Sequence, residues 1–425
     1  MKKRADDRRR SGPVPAVAPA VPHARARLGQ ASDALARALT FQHPADKVLE
    51  RFFKEHRAMG SKDRGACAET VYGVLRHLRL YQHLLEAAGL PLEARSLAAV
   101  QLLDAAGWSA RALVEAGFSR DAEGLTRAVR TLDRSALPFA VRWSLPDALA
   151  GPLSAQYGEE TEALVLALSV QAPVDLRANT FKCTREQLSA ALAAAGFDPR
   201  PVPGAPHALR LAKRGALWST PEFKQGWFEL QDAGSQRLAP LLAPAPGERV
   251  LDLCAGAGGK TLQLATLMNN SGQVFACDVN EKRLARLSPR LARSGLSNVQ
   301  ARPIAGLDDP LLRAQRHSFD AVLVDAPCSG SGTWRRNPDL KWRPLDLEAL
   351  GRTQRALLAE ALRLVKPGGR VVYATCSLLG AENDAVVAAV AAATGATVEE
   401  RLTLLPHRDG CDGFFAARLR RASAS

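Results

Sequence analysis

The stretch Asp252-Leu-Cys-Ala-Gly-Ala-Gly-Gly-Lys260 decides how the rest of the chain is read. Before it, Arg249-Val-Leu-Asp-Leu253 reads as a short buried strand, and after it Thr261-Leu-Gln-Leu-Ala-Thr-Leu-Met268 reads as the first turns of a helix. A strand, a glycine-rich turn and a helix start make a cradle of nucleotide size. The glycines let backbone N–H groups approach a ligand closely, and the helix N-terminus adds partial positive charge.

The spacing of the glycines narrows the ligand. A dinucleotide fingerprint needs G-x-G-x-x-G, but Gly256-x-Gly258-Gly259 continues into Lys260 and Thr261, so the third glycine is missing. A phosphate loop would need glycine where Ala255 stands. Asp278 closes a second apolar run, Val274-Phe-Ala-Cys-Asp278, and an acid there can accept from ribose hydroxyls. A ribose-bearing cofactor without a pyrophosphate fits this pattern, and S-adenosyl-L-methionine is one. The bland alternative is a strand-to-helix turn that binds nothing.

The chain has 425 residues, enough for two or three domains, and 47% apolar content, ample for buried cores. Its 57 Lys+Arg against 43 Asp+Glu leave a net +14, which favours a polyanionic partner. Eight of those basic residues and two Asp fall in residues 1–30, a Pro/Ala-rich arm for which solvation alone is a sufficient account. Seven cysteines without a C-x-x-C imply reduced thiols in a cytoplasmic protein, with neither a disulfide framework nor a metal site. No apolar run reaches the ~18 residues of a membrane span.

Along the chain, residues 31–145 carry helical spacing, with turns at Gly60, Gly89 and Gly107. Arg51, Arg57, Arg64, Arg76 and Arg79 there could face RNA or simply be solvated. Residues 146–240 read as a small α+β module with strands at 173–179, 208–211 and 227–230 and a helix capped by Thr184. Residues 241–425 alternate strands and helices, the rhythm of a doubly wound, Rossmann-like α/β sheet. In such sheets ligands bind beyond the strand C-termini.

Two cysteines stand at such ends. One strand runs into Asp325-Ala-Pro-Cys328-Ser-Gly330, another into Ala374-Thr-Cys376-Ser377. Thiols beside a methyl donor point to methylation of a pyrimidine at carbon 5. A thiolate adds to carbon 6, makes carbon 5 nucleophilic and is later expelled, while a carboxyl group at N3 stabilises the addition. The target base must be single-stranded or flipped out. The segment from Gly332 to Arg343, with four basic residues and two tryptophans, suits a single-stranded RNA groove. The alternative places its tryptophans in the core.

These motifs resemble the RsmB/Nop/Sun family of S-adenosylmethionine-dependent RNA cytosine-5 methyltransferases. Asp412-Gly-Phe-Phe-Ala-Ala-Arg-Leu419 is similar to its closing strand. Ser61-Lys-Asp-Arg64 with Thr70-Val-Tyr-Gly-Val-Leu-Arg76 is similar to the NusB-like RNA-binding domain of its bacterial ribosomal RNA branch. The resemblance implies that Cys376 is the nucleophile, Cys328 assists product release, and Asp325 contacts the cytosine close to the cofactor, with Lys260 beside them. It implies cofactor binding by Cys254, Ala255, Gly256, Ala257, Gly258, Gly259 and Lys260, with Asp278 on the ribose, and an RNA-side role for Arg177 and Asn179. The expected partner is small-subunit ribosomal RNA, with no membrane, and the expected state a monomer. Ala305 departs from the family, which places an acid there beside the adenine; either Asp308 or Asp309 substitutes, or backbone groups hold the adenine. That departure keeps open an RNA-binding assembly factor with weak or lost catalysis. A DNA-type enzyme would instead attack with Cys328.

Overall fold

The computed structural model describes residues 21–118, 121–212 and 215–423. The chain divides into two compact units between Ser144 and Leu145.

The first unit is helical. Its longer helices are α1 (Ala24–Ala38), α2 (Ala45–Glu55), α3 (Ser61–Ala87) and α4 (Ala94–Asp104). Apolar residues spaced by three and four carry the packing: Leu28, Ala31, Leu35 and Ala38 on α1, and Val71, Val74, Leu75 and Leu78 on α3 are all buried. Gly73 lets α4 come close, because a Cβ there would stand 2.3 Å from the Gln101 side chain. Tyr81, wholly buried, donates to Gln101 Oε1 at 2.8 Å and is 2.9 Å from Asp104 Oδ2. The expected arm at 1–30 is shorter than the sequence suggested, since α1 begins at Ala24; residues 1–20 of that arm lie outside the described residues. Arg51 pairs with Glu55 at 3.0 Å, and Arg64 donates to the Met59 carbonyl at 2.9 Å.

The second unit opens with helices Asp147–Tyr157 and Thr161–Leu168. A small antiparallel sheet follows, built from β1 (Val174–Ala178), β2 (Pro199–Val202), β3 (Ala205–Leu211) and β4 (Phe228–Leu230) in the order β2-β3-β1-β4. Helix Arg185–Ala194 covers it, started by a capping box between Thr184 and Gln187. The strand β2 escapes sequence reading because Pro199 and Pro201 argue against a strand. It is an edge strand, where a missing N–H is tolerated.

The larger sheet contains β5 (Arg249–Asp252), β6 (Gln273–Asp278), β7 (Val299–Pro303), β8 (Phe319–Asp325), β9 (Val365–Thr375), β10 (Thr397–Leu404) and β11 (Phe414–Arg420). Their order is β10-β11-β9-β8-β5-β6-β7. Pairing is parallel from β9 through β7, while β11 runs antiparallel to both β9 and β10. Both faces of its central strands are buried, and successive residues alternate between two apolar cores: Ala321 and Leu323 of β8 enter one, Val322 and Val324 the other. Strand order reverses at β5, which lies between β8 and β6. The crevice beyond the C-terminal ends of β5 and β8 is therefore where a ligand belongs.

Candidate active site

The cradle after β5 is held from three directions. Gly256 (φ +55°) and Gly258 (φ +81°) both take left-handed backbone. A Cβ on Gly258 would sit 2.3 Å from Leu287 Cδ1, so that position requires glycine for space as well as conformation, whereas one on Gly256 would meet the movable tip of Arg283 at 2.8 Å. Gly256 N–H donates to Asp278 Oδ2 at 2.7 Å, Ala255 N–H to the Cys277 carbonyl at 2.9 Å, and Arg290 to the Ala257 carbonyl at 2.6 Å. Asp278 also accepts from Asn280 N–H at 2.7 Å. The next residue, Val279, is an apolar side chain left 67% exposed at the mouth of this cradle. Together the glycine turn, the carboxylate at the end of β6 and that apolar surface fit a nucleoside carrying a short charged tail.

Beneath the turn, Asp252 is buried and accepts from Thr261 Oγ1 at 2.7 Å. Burial raises its carboxyl to about 7, against the opposing pull of the Thr261 bond. Burial also pushes the Cys254 thiol far up, so it stays protonated.

The chemistry-bearing side chains converge at the ends of β8 and β9. Lys260, on the first turn of helix Gly259–Leu267, places Nζ 2.7 Å from Asp325 Oδ2. Burial opposes the ammonium, but the charge and hydrogen bond of Asp325 outweigh it and hold the Lys260 pKa above its ordinary value. Asp325 aligns with Ala374 across the β8–β9 ladder, which brings the two cysteine turns together: Cys328 Sγ and Cys376 Sγ lie 3.4 Å apart. The two sulfurs are not equivalent. Cys376 lines a cavity of about 350 Å³ together with Lys260 and Asp325, whereas Cys328 lies outside its lining. The hydrogen bond with Cys376 and then burial push the Cys328 thiol well above its usual range. The opposite cavity wall comes from the small module and the segment after it, through Asp175, Gln231 and Asp232.

Two expectations are corrected. Arg177 and Asn179 do not offer themselves to RNA. Both are buried and join the small module to the large sheet's domain: Arg177 donates to the Gly259 carbonyl at 2.7 Å and to Gln231, and Asn179 to the Gly226 and Ser294 carbonyls at 2.9 and 3.0 Å. The basic and aromatic segment 332–343 is not an open groove either. Trp334 is in the core, Arg335 is 5% exposed, and Arg335 and Arg336 both pair with Asp412, Arg336 also reaching Asp232 at 2.7 Å. Aromatic and basic residues interleave in both situations; the buried acids that claim the guanidinium groups, Asp232 and Asp412, are remote in sequence. At the position of the absent acid, Ala305 N–H donates to Asp309 Oδ2 at 2.8 Å, so a carboxylate does reach this turn from four residues on. Asp308 instead pairs with Arg313 at the surface.

Glu382 went unrecognised in the sequence. It is wholly buried between the two cysteine turns and accepts from Ser329 N–H at 2.8 Å and from Gln354 at 2.9 Å. The only sequence signal for it is an acid six residues after Cys376, next to Asn383 and Asp384.

Comparison with known proteins gives this geometry a family. The profile of "16S rRNA methyltransferase RsmB/F" matches residues 239–420, and that of the "Methyltr_RsmF/B-like, ferredoxin-like domain" matches residues 145–217. A probable ribosomal RNA small subunit methyltransferase B of Synechocystis sp. is 33% identical over 89% of this chain and 95% of its own length. Ribosomal RNA small subunit methyltransferase B of Vibrio cholerae is 33% identical over 92% and 96%. Among solved structures, a methyltransferase homolog from Pyrococcus horikoshii is 31% identical, covers 68% of this chain and all of its own, and superposes with a TM-score of 0.61. The chain therefore belongs to the RsmB/F family of 16S rRNA methyltransferases.

Proposed function

We propose that this protein transfers a methyl group from S-adenosyl-L-methionine to carbon 5 of a cytosine in small-subunit ribosomal RNA, through a covalent adduct at carbon 6. The observation that carries this is the cavity in which Cys376, Lys260 and Asp325 meet. Bound in the cradle after β5, the cofactor supplies an electrophilic methyl carbon. The turn from Cys254 to Lys260 would hold it, Asp278 would take the ribose hydroxyls, Val279 would lie against the adenine, and the Asp309 carboxylate would serve where Ala305 has no acid.

The remaining work falls to the chain's own residues. Cys376 adds as a thiolate to carbon 6 of the base, and the electron pair of the ring double bond is released toward carbon 5. The Lys260–Asp325 pair faces the ring edge that carries N3, where a positive charge and a shared proton stabilise the electron-rich adduct. After carbon 5 has taken the methyl group it gives up its proton to a water molecule entering the cavity. The returning electron pair expels Cys376, and Cys328, 3.4 Å from the leaving sulfur, assists release. Cys376 rather than Cys328 lining the cavity supports this assignment over the DNA-type alternative. RNA binding by the helical unit and by the small module belongs to the same reading.

The test is a denaturing gel with ribosomal RNA containing 5-fluorocytosine, which retains the adduct. Cys376→Ala is expected to form none, and Cys328→Ala to accumulate it even on unmodified RNA. An adduct formed by Cys376→Ala but not by Cys328→Ala would reverse the assignment. Bisulfite sequencing of ribosomal RNA from a deletion strain identifies the cytosine.

A further inference from the structure

The two cysteine turns share one anchor. Each catalytic cysteine is followed by a serine, Ser329 after Cys328 and Ser377 after Cys376, and both hydroxyls donate to the same oxygen, Glu382 Oε2. The other oxygen, Oε1, accepts from Ser329 N–H at 2.8 Å and from Gln354 Nε2 at 2.9 Å. Gln354 reaches on to the Pro327 carbonyl, one residue before Cys328, at 2.9 Å. Ser331 Oγ lies 3.1 Å from Ser377 Oγ and accepts from Leu378 N–H, while the Glu382 main-chain carbonyl accepts from Tyr373 on β9. Glu382 is 0% exposed, and every one of these donors is neutral. A buried carboxylate without a cation is costly unless its lone pairs are filled, and here four donors fill them. An apolar residue would serve core packing without that cost, so a need for the charge or the geometry explains the acid better.

We propose that Glu382 is a positioning residue: its carboxylate ties the Cys328–Ser329 turn to the Cys376–Ser377 turn and so sets the separation of the two sulfurs on which base addition and release depend. The proposal rests on the thiol roles assigned above. The same carboxylate adds negative charge beside Cys328. With Cys376 and burial it favours the thiol form there, and Tyr373 is the other titratable group whose charge couples to this pair. The arrangement separates the roles of the two sulfurs: the one at the cavity is free to attack, and the one behind it keeps its proton.

The test uses the full-length protein and Glu382→Gln, which keeps the side-chain shape. The glutamine oxygen can take the two N–H donors, and its amide can face the serine hydroxyls. On transcribed 16S ribosomal RNA containing 5-fluorocytosine, Glu382→Gln is expected to form the adduct at least tenfold more slowly, with KM for RNA and Kd for S-adenosylhomocysteine within twofold of the parent. Mass-spectrometric mapping of iodoacetamide labelling should show Cys328 reacting at lower pH once the carboxylate charge is gone, a shift that loosened packing alone would not give. If Glu382→Gln does not fold, Ser329→Ala/Ser377→Ala replaces it; this variant severs the same ties and is expected to show the same slowing at unchanged KM. Parental adduct rates in either variant overturn the proposal. So does slowing accompanied by a lower melting temperature and an unmoved Cys328 profile. An adduct formed by Cys376→Ala would instead overturn the thiol assignment, and that outcome is read independently of Glu382.

Discussion

Replacing Arg177 by methionine separates two readings of the small module. If Arg177 faced RNA, its loss would weaken RNA binding and leave stability alone. The structure puts it under the cofactor turn, where its guanidinium bonds the Gly259 carbonyl at 2.7 Å and Gln231, with Gln263 at 3.4 Å. Two good charge-assisted hydrogen bonds contribute ~1.5–3 kcal/mol each, about 3–6 kcal/mol together. Against them, burial lowers the Arg177 pKa to about 10, an opposing term on the order of 3 kcal/mol at ~1.4 kcal/mol per pH unit. Methionine recovers that opposing term but leaves the Gly259 carbonyl without its donor. The net expectation is a loss of about 2 kcal/mol, or roughly 4–8 °C in Tm for a unit of this size. S-adenosylhomocysteine should bind more weakly as well, since Gly259 belongs to the turn proposed to hold the cofactor. Urea melts of the full chain, calorimetry with S-adenosylhomocysteine and filter binding to ribosomal RNA measure the three quantities. Stability unchanged within ~0.5 kcal/mol, combined with weakened RNA binding, would refute the reasoning.

Gly258→Ala meets both a left-handed backbone and Leu287 at 2.3 Å. It should cost about 2–4 kcal/mol in chemical denaturation and abolish measurable cofactor binding by calorimetry. Arg336→Met removes a partner from two buried acids, Asp232 and Asp412. A loss of about 3–5 kcal/mol is expected, and a loss under ~1 kcal/mol would show that Arg335 alone neutralises them. Asp252 carries a native pKa raised to about 7, above the ~3.9 of an unfolded aspartate. Its contribution therefore destabilises increasingly as pH climbs from ~4 to 7 and levels off beyond. Asp252→Asn should gain on the parent by about 2–4 kcal/mol at pH 8 and lose that advantage toward pH 4, as read from urea melts at both pH values.

Much of the large domain could be read from the chain because its signals are local. The strands β5, β6 and β8 are short, largely apolar and followed by turns, and the candidate residues for chemistry sit just beyond β5, β8 and β9. β10 was missed for the opposite reason: its Glu399, Glu400 and Arg401 look like a solvated loop, and they suit an exposed edge strand whose acids pair with Arg418 and Arg420 of β11. The misread residues depend on tertiary neighbours. Arg177, Arg335 and Arg336 look like a nucleic-acid surface until the carbonyl and carboxylate groups they reach, 54 to 86 positions away for Arg177 and 76 to 163 for the other two, are known. Glu382 belongs to the same class, since nothing local distinguishes a carboxylate that binds two serines from one that faces water.

The cavity draws one wall from the large sheet and the other from the module before it. A chain trimmed to residues 239–420 would retain the sulfurs and the glycine turn while leaving this cavity open on one side. Grafting the module of one homologue onto the catalytic half of another should accordingly transplant nucleotide preference without altering how the carbon is delivered, and the Arg177 contact marks the seam such a chimaera would have to preserve.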